Sequence, residues 1–162
     1  MLLLAHMEIN VLIDKAYKKQ VKSGWLKNLV RQIQTAEKVS VKSEMAIVIT
    51  GDEKIHELNL KYLAEDRPTD VLSFPMNEQS GAAPFFVNAP DARLHLGDII
   101  ISYPTAARQA AENNHPVSME ITILLIHGVL HLLGYDHDIP ARKQLMNEKE
   151  AVIFKIIEEQ GL

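Results

Sequence analysis

The chain contains no cysteine. Disulfides and thiolate metal sites are therefore excluded, and any metal must be held by His, Asp or Glu. An excess of positive charge is missing as well. Lys and Arg number 17 against 21 Asp and Glu, a formal net charge of -4. The global basic footprint of many nucleic-acid binders is absent, so contact with RNA or DNA has to come from a local patch. No apolar run approaches the roughly 20 residues of a membrane span. The longest, ITILLI at 121–126, is broken by His127. The opening MLLLAHMEINVLID has too short an apolar stretch for a secretory signal and lacks a basic leading segment. Internal repeats and low-complexity tracts are also lacking. These absences point to a cytoplasmic protein that makes no use of a membrane. Met7 competes with Met1 as the natural start, because MEINVLID already alternates as a strand.

What is present suits one domain with one core. The 162 residues are 47% apolar and 23% charged, an ordinary globular balance. The expected unit is a single hydrolase domain over 1–162, with 1–6 as an extension and 77–93 as a long loop rich in Gly, Ala, Pro and Asn. Strand patterns fall at 7–13, 45–50, 69–74 and 96–102. Helical patterns fall at 24–37, from Asp52 onward, at 104–114, from Ser118 to Gly134, and at roughly 140–159. Ser118 is the expected cap of the fourth helix, and Pro75 is expected to stop the third strand. This order predicts an α+β fold: a small mixed sheet of about four strands with helices packed on it.

One stretch concentrates chemistry. HGVLHLLGYDH, 127–137, holds three of the seven histidines. His127 and His131 are four apart on a predicted helix, roughly 6 Å along its axis and about 40° around it. Two imidazoles so placed can converge on one ion at about 2.0–2.1 Å. Gly134 can take the left-handed conformation that ends a helix, and the chain then brings His137 round as a third ligand. Three nitrogens with an open fourth position is the pattern of a catalytic zinc site. Asp136 and Asp138 are either outer partners that orient an imidazole or solvated turn residues; the sequence leaves both open.

The same spacing occurs in metzincin proteases, which carry a general-base Glu directly after the first histidine. Here that position is Gly128. A glycine moves no proton, so peptide hydrolysis is disfavoured, whereas phosphodiester cleavage depends more on charge stabilisation. EDRPTDVLSFP, 65–75, offers Arg67, whose guanidinium can fork onto phosphate or pair with Glu65, Asp66 or Asp70 on the surface. Asp98 in LGDIIIS either supports the site or serves its own backbone. Ser73 reads as a strand-to-loop junction. MNEKE, 146–150, reads as a core Met146 beside a solvated Glu150.

Together, HGVLHLLGYDH, RPTDVLSFP and LGDIIIS resemble the bacterial YbeY family, rRNA maturation factors described as metal-dependent endoribonucleases. The resemblance spans about residues 7 to 160. It implies a zincin-like fold, Zn2+ on His127, His131 and His137, and Arg67 as the catalytic arginine. It also implies cleavage of single-stranded RNA, maturation of the 16S rRNA 3′ end on the small ribosomal subunit, and ribosome quality control. Arg93 and Arg108 are expected on a cleft wall facing the RNA backbone. Phe85 and Phe86 either stack bases or pack back on the sheet. The competing functions are a metalloprotease lacking the usual Glu and a non-catalytic metal-binding ribosome-assembly factor.

Overall fold

The computed structural model describes residues 6–76 and 93–161. Phe85, Phe86, most of the 77–93 segment and most of the N-terminal extension lie outside the described residues. Four strands form one sheet: β1 (Met7–Ile13), β2 (Ser43–Thr50), β3 (Val71–Pro75) and β4 (Leu94–Ser102). Their order is β1-β2-β4-β3. β1, β2 and β4 run parallel, and β3 lies antiparallel on the edge beside β4. Five helices complete the α+β fold: α1 (Ser23–Ala36), α2 (Asp52–Leu63), α3 (Tyr103–Glu112), α4 (Val117–Leu132) and α5 (Pro140–Glu159).

Strand alternation assigns the two faces of the sheet. Ile9, Met45, Ile47, Ile49, Ile99 and Ile101 point to one side. They meet Leu26 and Ile33 of α1, Leu125 and Val129 of α4, and Met146 and Ile153 of α5 in the main core. The other face is thinner: Leu72 and Ile100 meet Ile55 of α2. That helix buries only Ile55 and Asn59, and Leu60 and Tyr62 are exposed. A helix lying alone on its sheet face needs only a narrow apolar stripe.

α4 is buried on nearly every side, as a helix between a sheet and the helices α1, α3 and α5 must be. It begins at Val117 with Pro116 in the capping position, and no side chain caps it. Ser118 is therefore not the cap. It lies inside the first turn, and its carbonyl accepts from Thr122 Oγ1 at 2.7 Å. Pro116 takes that role because its fixed φ and extended ψ of 151° already set the chain outside the helix. Pro75 is the last residue of β3 rather than the first beyond it, which an edge strand tolerates. Opposite it, Gly97 has φ +131°, and a Cβ there would sit 2.1 Å from the Phe74 carbonyl oxygen. Only glycine lets β3 approach β4 that closely. Among the described residues, no single helix is long and apolar enough to cross a membrane.

Candidate metal centre

α4 delivers two histidines and its termination delivers the third. Gly134, at φ +101°, donates its N–H to the His131 carbonyl at 3.1 Å, and Tyr135 donates to the Leu130 carbonyl at 3.0 Å. This pair of bonds is the Schellman closure of a helix, and it reverses the chain at once. The Tyr135 hydroxyl then donates to Glu37 at 2.7 Å, and Lys149 Nζ lies 3.4 Å from the same carboxylate. The turn is thereby tied both to the end of α1 and to α5. The hydrogen bond to Glu37, and after it burial, lift the Tyr135 hydroxyl above its ordinary pKa. Asp136 Oδ1 accepts from the His137 backbone N–H at 2.7 Å. Asp136 thus serves the turn that presents His137. Asp138 likewise accepts from the Ile139 N–H and pairs with Arg142.

The three imidazoles come together. Ring centroids are 4.6 Å apart for His127–His131, 5.0 Å for His131–His137 and 5.8 Å for His127–His137. One ligand atom from each lies within 4.8 Å of the others, and Nε2 of His127 is 3.1 Å from Nε2 of His131. Nitrogens at tetrahedral positions around zinc stand about 3.3 Å apart. The α4 pair already matches that spacing, and exposed His137 on its turn has room to close on it. Burial first, then the neighbouring His127 and His137, push the His131 pKa below its ordinary value, against the Asp136 carboxylate and a backbone hydrogen bond to Tyr135. The neutral ring, the form that binds metal, is favoured. The donor set and its spacing therefore fit a divalent ion of the zinc type.

One functional residue was misread in the sequence. Glu150 is not a solvated surface carboxylate: its Oε1 lies 2.7 Å from Nδ1 of His127, and it is only 28% exposed. Met146, Ile153 and Ile157 are the buried residues of α5. Glu150, four after the first and three before the second, stands in that same stripe. A charged residue in an apolar i, i+4, i+7 series is the signal that was available.

Gly128 has a packing cause. A Cβ there would lie 3.0 Å from Ile99 Cγ2, 3.1 Å from Ile99 Cδ1 and 3.2 Å from Ser73 Oγ. The position faces the sheet, at the line where α4 crosses β3 and β4. Ser73 is thus a strand residue beneath the helix.

Each of the three candidate arginines pairs with a carboxylate. Arg67 lies in the connection between α2 and β3: its carbonyl accepts from Asn59 Nδ2 and its Nε donates to Glu65, both at 2.9 Å. It lines a separate open cleft of about 730 Å³ with Asp70, Thr105 and Gln109. Arg108 joins α3 to α2 through Asp52 at 2.8 Å. Arg93 pairs with Glu8 on β1, whose side chain alternates away from the core residues Met7 and Ile9. Both guanidiniums are engaged by local carboxylates.

A family model described as Endoribonuclease YbeY matches residues 8–158. The chain belongs to the YbeY family. It is 47% identical to the endoribonuclease YbeY of Dehalococcoides mccartyi, over 98% of this chain and 94% of that protein. It is 43% identical to that of Brevibacillus brevis, over 83% and 86%, and 40% identical to that of Chloroflexus aggregans, over 90% and 92%. Among solved structures, the solution structure of TM1509 from Thermotoga maritima is similar, with a TM-score of 0.59 and 25% identity over 93% of this chain and 87% of that one. The three histidines, Glu150 and Arg67 all fall inside the stretch matched to the YbeY family. The helix-end histidine group thus belongs to the part of the chain shared with the family.

Proposed function

We propose that the chain is a metal-dependent endoribonuclease, one hydrolase domain spanning 1–162, that cleaves single-stranded RNA during rRNA processing. The observation that carries this reading is the convergence of His127, His131 and His137 within 4.8 Å in a chain of the endoribonuclease YbeY family. Zn2+ is the ion we assign, since three imidazoles suit it. When bound, such an ion polarises a phosphoryl oxygen and acidifies water. The residues then divide the work. The three imidazoles hold the ion, Glu150 supports His127, and the Tyr135–Glu37–Lys149 linkage holds the turn bearing His137. The family relation supports the 3′ end of 16S rRNA on the small subunit, and ribosome quality control, as the setting, in the cytoplasm.

A protease reading is disfavoured by the placement of Gly128. The position that carries the base in metzincins packs against Ile99 and Ser73, so a side chain there enters the sheet contact. Arg67, the catalytic candidate by resemblance, lines a cleft with Asp70, Thr105 and Gln109 and is held by Glu65. We assign it to binding the RNA backbone away from the scissile phosphate. Arg67→Ala is expected to raise KM for RNA roughly 3–10-fold with kcat nearly unchanged. A loss of kcat at unchanged KM would instead make it a catalytic group.

The deciding experiment incubates purified protein with end-labelled single-stranded RNA, with and without chelator, followed by zinc add-back. Cuts that vanish with chelator and return with zinc are the expected result. RNA that stays bound and uncut under all conditions would favour the assembly-factor reading, and chelator-sensitive peptide cleavage would favour the protease.

A further inference from the structure

We infer that Glu150 is a positioning residue of the metal centre: its carboxylate fixes the ring of His127 so that Nε2 faces the metal position. This rests on the three histidines being a metal site. The observation is the 2.7 Å contact between Glu150 Oε1 and Nδ1 of His127, made across two helices and 23 residues of sequence. An ionised carboxylate only accepts hydrogen bonds, so Nδ1 must carry the proton. The lone pair is then left on Nε2, the nitrogen that lies 3.1 Å from Nε2 of His131. Without the carboxylate, a neutral imidazole divides its proton between the two nitrogens and rotates about its side-chain bonds. The half-buried Glu150 stops both, and a carboxylate behind a ligating imidazole also strengthens it as a donor.

The same geometry excludes a different role. Glu150 meets the side of the ring opposite to Nε2, so it does not reach a group held at Nε2. It therefore does not replace the general base that Gly128 lacks. Its place is set by packing. Met146 and Ile153, one turn to either side on α5, are buried in the main core. The carboxylate is delivered by a helix face that has to lie against its neighbours for apolar reasons, which makes its position reproducible at little entropic cost.

The test compares wild type with Glu150→Gln, Glu150→Ala, His127→Ala and His131→Ala. Zn2+ affinity is read by competition with a chromophoric chelator. The His127 tautomer is read from side-chain nitrogen NMR of the metal-free protein. Measurements are made where circular dichroism shows each metal-free variant fully folded. Glu150→Ala is expected to weaken zinc binding about 10–100-fold and to convert a single Nδ1–H tautomer into a mixture. Glu150→Gln, whose side-chain oxygen still accepts from Nδ1, is expected to keep the tautomer and recover most of the affinity. Wild-type zinc affinity in both Glu150 variants, with the two histidine variants losing zinc, would overturn the inference and leave the metal centre intact. Glu150→Ala that only lowers the metal-free melting temperature, with affinity and tautomer unchanged, would overturn it too. Zinc retained by His127→Ala and His131→Ala would remove the metal centre itself and the inference with it.

Discussion

His131→Ala is expected to abolish RNA cleavage and the binding of zinc together while leaving the fold in place. His131 is the middle ligand, 3.1 Å from His127 by Nε2 and 5.0 Å by ring centroid from His137. Its removal leaves two imidazoles whose ring centroids are 5.8 Å apart. The loss of affinity should exceed the 10–100-fold that follows from removing an outer partner. The fold should survive, because the ring is only half-buried and lines the site rather than the core. Thermal melting separates these effects. A ligand at 100 times its Kd stabilises the folded state by about 2.7 kcal/mol, which in a domain of this size raises Tm by roughly 5–10 °C. Wild type should show that rise on adding zinc, and His131→Ala should not. A variant that keeps both the zinc-linked rise and cleavage would remove His131 from the centre.

Gly128→Glu restores the metzincin sequence around the first histidine, yet the expected outcome is a damaged fold and no protease. The new Cβ would begin 3.0 Å from Ile99 and 3.2 Å from Ser73 Oγ, at the contact of α4 with the sheet. Gly128→Ala alone overpacks this contact and should cost about 1–3 kcal/mol, lowering Tm by roughly 3–10 °C. A glutamate adds an unpaired charge facing a dry apolar surface, a class of change that costs about 3–5 kcal/mol or more. A Tm at least 10 °C below wild type, or insoluble protein, is expected, with no chelator-sensitive cleavage of casein. If Gly128→Glu melts like wild type and gains peptidase activity, position 128 faces the cleft and the packing explanation is wrong.

How much of this was legible in advance depends on how far apart in sequence the cooperating groups are. His127, His131 and Gly134 lie within two helical turns, where 3.6-residue periodicity and a helix-ending glycine suffice to bring them to one place. The α+β order of elements followed from the same local periodicities, and so did β4. Ser118 failed as a cap because the extended backbone of Pro116 took the position.

Local pattern by itself therefore determined the element order, the helix-end histidine group and the exclusion of sulfur chemistry. Tertiary structure alone decided which outer groups serve that site. Asp136 is next to His137 in sequence yet bonds its backbone, whereas Glu150, 23 residues beyond His127, holds the ring. Tertiary structure also decided that Arg67 lines a cleft with Thr105 and Gln109 and that a Cβ at position 128 would press on Ile99 and Ser73. The physical reason is common to all of these. Spacing along a chain reports which face of an element a residue occupies, but the partner of that face is set only when sheet and helices pack to exclude water.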